Sequence, residues 1–261
     1  MTTVLQAGNQ TITVENIIPV LASYQMLPQL LRENIIEQAI APFRCTPEET
    51  AQACQHFYQR FQLTNEGERL AWLERYGMSQ SHLENLTTRR IRVEKFKQVT
   101  WGHKLESYYL KRKAQLDQVV YSLIRLKDPG IAQELYFRIQ EQEQSFGEVA
   151  HRYSQGREAQ TGGLIGPVDL GSLHPHMARL LSISQPGQLW EPRALEEWHV
   201  ILRLEQLLPA QFNEFMRQRL LNELFENWLH EQLDQLPDSD KIWMGVTPNR
   251  QAEKINHTTA A

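Results

Sequence analysis

Glycine is crowded into one part of this chain. Eight of its 13 glycines (130, 147, 156, 162, 163, 166, 171 and 187) fall in one short stretch, and no proline occurs between Pro47 and Pro129. Gly and Pro are the strongest local punctuation of a backbone. The two distributions therefore divide the 261 residues into a long helical arm and a compact, turn-rich module. Composition enters mainly by exclusion. With 27 Lys+Arg against 31 Asp+Glu the formal charge is -4, which argues against a nucleic-acid partner. A chain with 41% hydrophobic and 22% charged residues has the make-up of an ordinary folded protein. No apolar run approaches the roughly 18 residues of a membrane span. The start, MTTVLQAGNQTITVEN, has neither a basic n-region nor an apolar h-region. That predicts no secretory leader and a cytoplasmic location. Cys45 and Cys54 lie nine apart in a predicted helix, about 13 Å at the helical rise. They are too far apart for a disulfide and read as free thiols.

The arm, residues 1–116, reads as mostly helix. Val4–Leu5 and Thr11–Ile12 give an extended or hairpin start, and Thr13 is placed to cap a helix over about 14–27. Leu30, Leu31, Asn34, Ile35, Gln38 and Ala39 keep helical spacing. Thr46-Pro47-Glu48-Glu49 is a helix start with Thr as N-cap, Pro at the first position and Glu at the third. Further helices follow over Glu68–Tyr76, with Gly77 as stop, from Ser79 or Ser81 onward, and over Leu105–Leu116 after a break at Trp101-Gly102. From Gln118 the pattern changes. Val119, Val120, Tyr121, Leu123, Ile124 and Leu126 form a β-rich run. Ile131, Leu135 and Ile139 mark one helix and Phe146, Val149, Ala150 and Tyr153 a second. A Gly-rich loop leads to a third over His174–Ser182. Trp198–Leu204 is a final strand. The predicted order is β-α-α-loop-α-β-β, a small α+β domain over 117–206. Pro209 is expected to open a long helix carrying Leu208, Phe212, Phe215, Leu221, Leu224, Phe225, Trp228 and Leu229. Such a stripe needs a partner surface, and the arm is the expected one for this helix, 207–236. Residues 237–261 read as a loose tail in which Ile242, Trp243 and Met244 are the apolar exceptions.

The ordered set Phe146-Gly147-Glu148-Val149-Ala150, Tyr153-Ser154, Gly162-Gly163-Leu164-Ile165-Gly166, Pro186-Gly187, Pro192 and Trp198-His199-Val200-Ile201 resembles parvulin-type (PpiC, rotamase) peptidyl-prolyl isomerase domains. The wider layout resembles SurA/PrsA-like chaperones, through Asn34–Ile40 after a Leu-Pro-Gln-Leu-Leu segment, Thr46-Pro47-Glu48-Glu49 and Tyr108-Tyr109. The resemblance implies an α+β chain. A mainly helical chaperone-like region, completed by a C-terminal helix, carries an inserted parvulin (FKBP-like) domain. It implies isomerisation of Xaa-Pro bonds in unfolded or proline-containing polypeptide clients, with no cofactor and no metal. Relatives of this kind are often periplasmic or extracytoplasmic.

The implied reaction is rotation about an amide whose barrier is about 18–20 kcal/mol. In the twisted state the amide loses resonance and charge separation, so a dry apolar cup around the proline favours it over the planar, solvated form. By the resemblance, Leu173 and Met177 form that cup and His199 is the strand histidine of the catalytic centre. With Leu173 and Met177, the positions of Leu123, Ser154 of the Tyr-Ser motif and Gly156 make up the substrate-binding site that the resemblance implies. Three positions depart from the family pattern. Leu123, or Ser122 if the register slips by one, stands where the family has a histidine. Gly156 stands where it has Asp or Cys, and Glu197 replaces the glycine before the aromatic-His pair. These departures set two readings side by side, an active isomerase and a SurA-like chaperone that binds polypeptides without isomerising them. A third reading is an accessory factor for maturation or export of a specific peptide.

Other chemistries find little footing. The loop after the first strand, Arg125–Gly130, has only Arg125 and Lys127, too few basic groups for phospho-Ser/Thr-Pro recognition. Gly162-Gly163-x-x-Gly166 lacks the Lys-Ser/Thr of a P-loop. His174-Pro175-His176 lacks a third ligand for a metal. No Ser/His/Asp or Cys/His hydrolase arrangement is present.

Overall fold

Three helices in the first hundred residues start on side chains that accept from orphan backbone amides. A short hairpin precedes them, β1 (Thr3–Ala7) paired antiparallel with β2 (Gln10–Thr13). The helix expected over 14–27 is shorter, and the helical spacing from Leu30 belongs to a second helix. After β2, α1 spans Ile17–Ser23 and α2 spans Leu27–Ile40. Between them Gln25 takes a left-handed φ of 57, which ends the first helix. Helix α3 (Pro47–Arg60) opens on the capping box of Thr46 and Glu49, with Pro47 in the first turn. Helix α4 (Glu66–Arg75) has the same device in Asn65 and Glu68, and α5 (Gln80–Trp101) is capped by Ser79. A 3-10 turn at Gly102–Lys104 separates α5 from α6 (Leu105–Leu116). Cys45 and Cys54 are both free thiols, Cys54 being buried beside Thr87.

This computed structural model describes residues 3–7 and 10–237; Ile242, Trp243, Met244 and nearly all of the expected tail lie outside the described residues. The chain forms two compact units. One takes in the described residues up to His103 and those from Gln218 onward; the other is Lys104–Arg217. The second unit thus contains the whole of the domain expected over 117–206 and extends beyond it at both ends. It keeps α6 because Tyr109 stacks on Phe212 at 5.0 Å and donates its hydroxyl to the Ala210 carbonyl at 2.6 Å.

The module's sheet is built from β3 (Gln118–Leu126), β4 (Leu164–Asp169), β5 (Leu189–Leu195) and β6 (Trp198–Leu208), all antiparallel in the order β4-β3-β6-β5. Helices α7 (Pro129–Gln140), capped by Asp128, and α8 (Phe146–Tyr153), capped by Ser145, follow β3. Helix α9 (Pro175–Ser182) follows β4. The expected loop between α8 and α9 therefore contains a strand, and the order is β-α-α-β-α-β-β. β4 carries Pro167, which is tolerated because β4 is an edge. The sheet has a core on each face. Ile124, Leu126 and Ile201 pack with Leu135, Phe146 and Val149 of α7 and α8 on one face. Tyr121, Leu123, Val200 and Leu202 pack with Met177 and Leu181 of α9 on the other. Gly163, at φ 87, lets the loop before β4 close on β3. A Cβ there would lie 2.9 Å from both the Leu123 carbonyl oxygen and the Phe146 ring.

The helix expected from Pro209 begins later. Asn213 Oδ1 accepts from the Met216 amide at 2.9 Å, and α10 spans Glu214–Asp234. In the first unit Phe225 and Trp228 of α10 pack with Phe96 and Trp101 of α5, with ring centroids 5.0–6.4 Å apart. Arg32 and Glu226 add an ion pair at 2.7 Å between α2 and α10. Among the described residues no helix is long and apolar enough to cross a membrane.

Candidate functional site

One face of the module's sheet opens into a groove of about 390 Å³. Strand alternation decides which side chains line it. Tyr121, Leu123 and Arg125 of β3 point to this side, as do Trp198 and Val200 of β6. Leu173 and Met177, at the start of α9, form the opposite wall. Leu123 and Met177 are buried, while Leu173 and Trp198 are half-buried and meet the opening. The Trp198 ring is backed by Lys127, whose ammonium lies 5.3 Å from the ring centroid. The three apolar residues expected at the site, Leu123, Leu173 and Met177, are thus brought together.

His199 is not brought to them. Alternation along β6 puts it on the face of Ile201, opposite Trp198 and Val200, and its Cα partners are Leu126 and Ala194. Its Nδ1 is buried and has no hydrogen-bond partner among the described residues. His199, the residue expected to be catalytic, thus stands on the strand face away from the groove.

Ser154 and Gly156 lie behind the groove, where they build its polar end. The Ser154 hydroxyl accepts from the Arg125 amide at 3.0 Å and donates to Glu158 Oε1 at 2.7 Å. The Gln155 amide donates to the Arg125 carbonyl at 2.9 Å, so the backbone of Arg125 is held on both sides. Arg125 Nε and Nη2 donate to Glu158 at 3.0 and 2.5 Å, a two-pronged pair. The Glu158 side chain is 2% exposed and that of Arg125 is 35% exposed. Gly156 is a spatial requirement. A Cβ there would fall within 3.0 Å of both the guanidinium and the carboxylate. The polar side chain expected from residue 156 is thus replaced by a pair reaching the same place from β3 and from residue 158.

The charges at this end are coupled. Burial alone would raise the Glu158 carboxyl, but hydrogen bonds from Arg125 and Ser154 hold it below the ordinary carboxylate range. The same bond from Glu158 pushes the Arg125 guanidinium up. Burial pushes the Tyr121 phenol up as well. Glu158 and Arg125 therefore stay ionised at neutral pH and present almost no net charge. The sequence alone missed this pair, although one signal was available. Arg125 is the single charged residue in the apolar run 119–126 and shares the parity of Leu123. Among the described residues no three His, Cys, Asp or Glu side chains gather as a metal site would need.

A four-stranded antiparallel sheet with two helices on one face, one on the other and an apolar groove beside the third defines the class, an α+β parvulin-type module. In sequence, residues 129–206 match the rotamase family of PPIC-type PPIase domains, so the module carries such a domain. No curated protein matches the chain. Among solved structures, the peptidylprolyl isomerase PrsA of Bacillus cereus is similar at 15% identity, covering 98% of this chain and 94% of that one, with a TM-score of 0.47. The parvulin domain of PpiD from E. coli is similar at 21% identity over 38% of this chain and 97% of that one, with a TM-score of 0.33. A SurA-like chaperone of Campylobacter jejuni is similar at 14% identity, over 95% of this chain and 99% of that one, with a TM-score of 0.35.

Proposed function

We propose that the module is a peptidyl-prolyl cis-trans isomerase that acts on Xaa-Pro bonds of unfolded polypeptides, the chain as a whole serving as a foldase. The observation that carries this reading is the gathering of Leu123, Leu173, Met177 and Trp198 around one groove in a rotamase-type domain. A proline ring seated there leaves water. The twisted amide, which is less charge-separated than the planar one, is favoured by that exchange of water for hydrocarbon. Met177 is unbranched and adapts to varied neighbours of the proline.

A second reading is favoured by Leu123 and by the face that His199 occupies. With neither imidazole in the groove, the same cup serves a chaperone that holds proline-containing segments without turning them. Cis-to-trans relaxation of a short Xaa-Pro peptide, measured with and without micromolar protein, separates the two. Accelerated relaxation is the expected result. Unaccelerated relaxation together with suppressed aggregation of an unfolded client would overturn the isomerase reading in favour of the chaperone.

A further inference from the structure

We propose that Arg125 is a polar subsite of the groove, donating a hydrogen bond from Nη1 to a client backbone carbonyl next to the proline, and that Glu158 is the residue that positions it. This rests on the reading of the groove as a proline-peptide site.

Three observations carry it. First, Arg125 lines the groove on the same strand face as Tyr121 and Leu123, so its side chain adjoins the apolar cup. Second, Nε and Nη2 are committed to Glu158, whereas Nη1 has no hydrogen bond among the described residues. A guanidinium is planar, so fixing two nitrogens fixes the direction of the third. Third, the surroundings are built to hold it. Glu158 is nearly inaccessible and bonded to Ser154, the Arg125 backbone is held by Ser154 and Gln155, and residue 156 has no side chain to displace the pair.

The charge balance selects the ligand. The pair is neutral as a unit, so Nη1 offers a directed donor without a free positive charge. That suits a neutral peptide carbonyl better than a phosphate or carboxylate. The carbonyl concerned is not that of the rotating amide, because its oxygen loses negative charge as the bond twists and a donor there would favour the planar state. A neighbouring carbonyl keeps its charge throughout. Holding it anchors one side of the Xaa-Pro bond while the other side turns.

The experiment uses the full chain and two blocked tetrapeptides, one with Ala-Pro and one with Glu-Pro at the centre. Exchange rates are read by NMR, affinities by Trp fluorescence, and thermal midpoints are followed in parallel. Arg125→Met is expected to lower kcat/KM for Ala-Pro about tenfold, or to weaken binding as much if turnover is absent. Arg125→Lys, which keeps the charge but not the fork, is expected to recover less than half of that loss. Glu158→Gln leaves the guanidinium positive and is expected to shift preference toward Glu-Pro by about fivefold. A purely structural pair would not produce that shift. Arg125→Met and Arg125→Lys both within about twofold of wild type, or a Glu158→Gln loss equal for both peptides, would overturn the subsite while leaving the proline reading intact. A wild-type chain that neither binds nor isomerises either peptide would overturn the proline reading and the subsite with it.

Discussion

The guanidinium of Arg125 fills the space into which a side chain at Gly156 would project. Two residues 31 positions apart (156 minus 125) have thus exchanged roles. The polar group of this corner comes from the strand, and the loop gives up its side chain to make room.

Gly156→Ala puts a Cβ within 3.0 Å of both members of the Arg125–Glu158 pair. The pair must move or the loop must open, at an expected cost of about 1–3 kcal/mol. Thermal unfolding of the full chain checks it. A midpoint equal to wild type would mean that the pair gives way freely.

Glu158 also sets a pH dependence. Its folded carboxyl titrates below the ordinary value, with burial opposing and the Arg125 and Ser154 hydrogen bonds outweighing it. The stability it contributes is fully present above the unfolded carboxyl value of about 4.3 and is lost as pH falls through its lower folded value. Denaturant midpoints across that window should fall more steeply for wild type than for Glu158→Gln. Parallel curves would show that the carboxyl does not report the pair.

Met177 is 7% exposed and forms one wall of the groove. Met177→Ala should lower the isomerase rate about five- to tenfold by letting water reach the proline, while costing about 2 kcal/mol of stability. Met177→Leu nearly conserves volume and should stay close to wild type in both. An unchanged rate for the alanine variant would place the proline elsewhere.

His199 faces away from the groove. His199→Gln should therefore leave kcat/KM within about twofold of wild type. A tenfold loss would show that the imidazole acts through the sheet or that β6 shifts its register.

The readable parts of the fold were those in which one side chain fixes a local outcome. Thr46 with Glu49 announces α3, and Gly77 marks the stop of α4. Hydrophobic patterning marked the remaining pieces of the module apart from β4, and the resemblance pointed to Leu173 and Met177, which the fold brings to one wall. What stayed hidden depends on partners distant in the chain. β4 hid behind Gly166-Pro167, since an edge strand needs a neighbour on one side alone and tolerates breakers there. The start of α10 depends on Asn213, a polar residue with no more claim than Pro209 until its bond to Met216 is seen. His199 carries the motif on the face away from the groove, because a motif gives position along a strand and pairing gives its side. Arg125 became a site residue once Glu158 was known to meet it.

The aromatic packing of Phe96 and Trp101 with Phe225 and Trp228 has a consequence in time. During synthesis the whole of the module, Lys104–Arg217, is made before the segment that supplies Phe225 and Trp228. Domains commonly fold as units while the chain is still emerging. The groove-bearing module can be complete while the helical unit still waits for its last helix, leaving Phe96 and Trp101 without those two rings until translation passes Trp228. A nascent-chain protease experiment would see the order: protection of the module first, and of α5 only after α10 has left the ribosome.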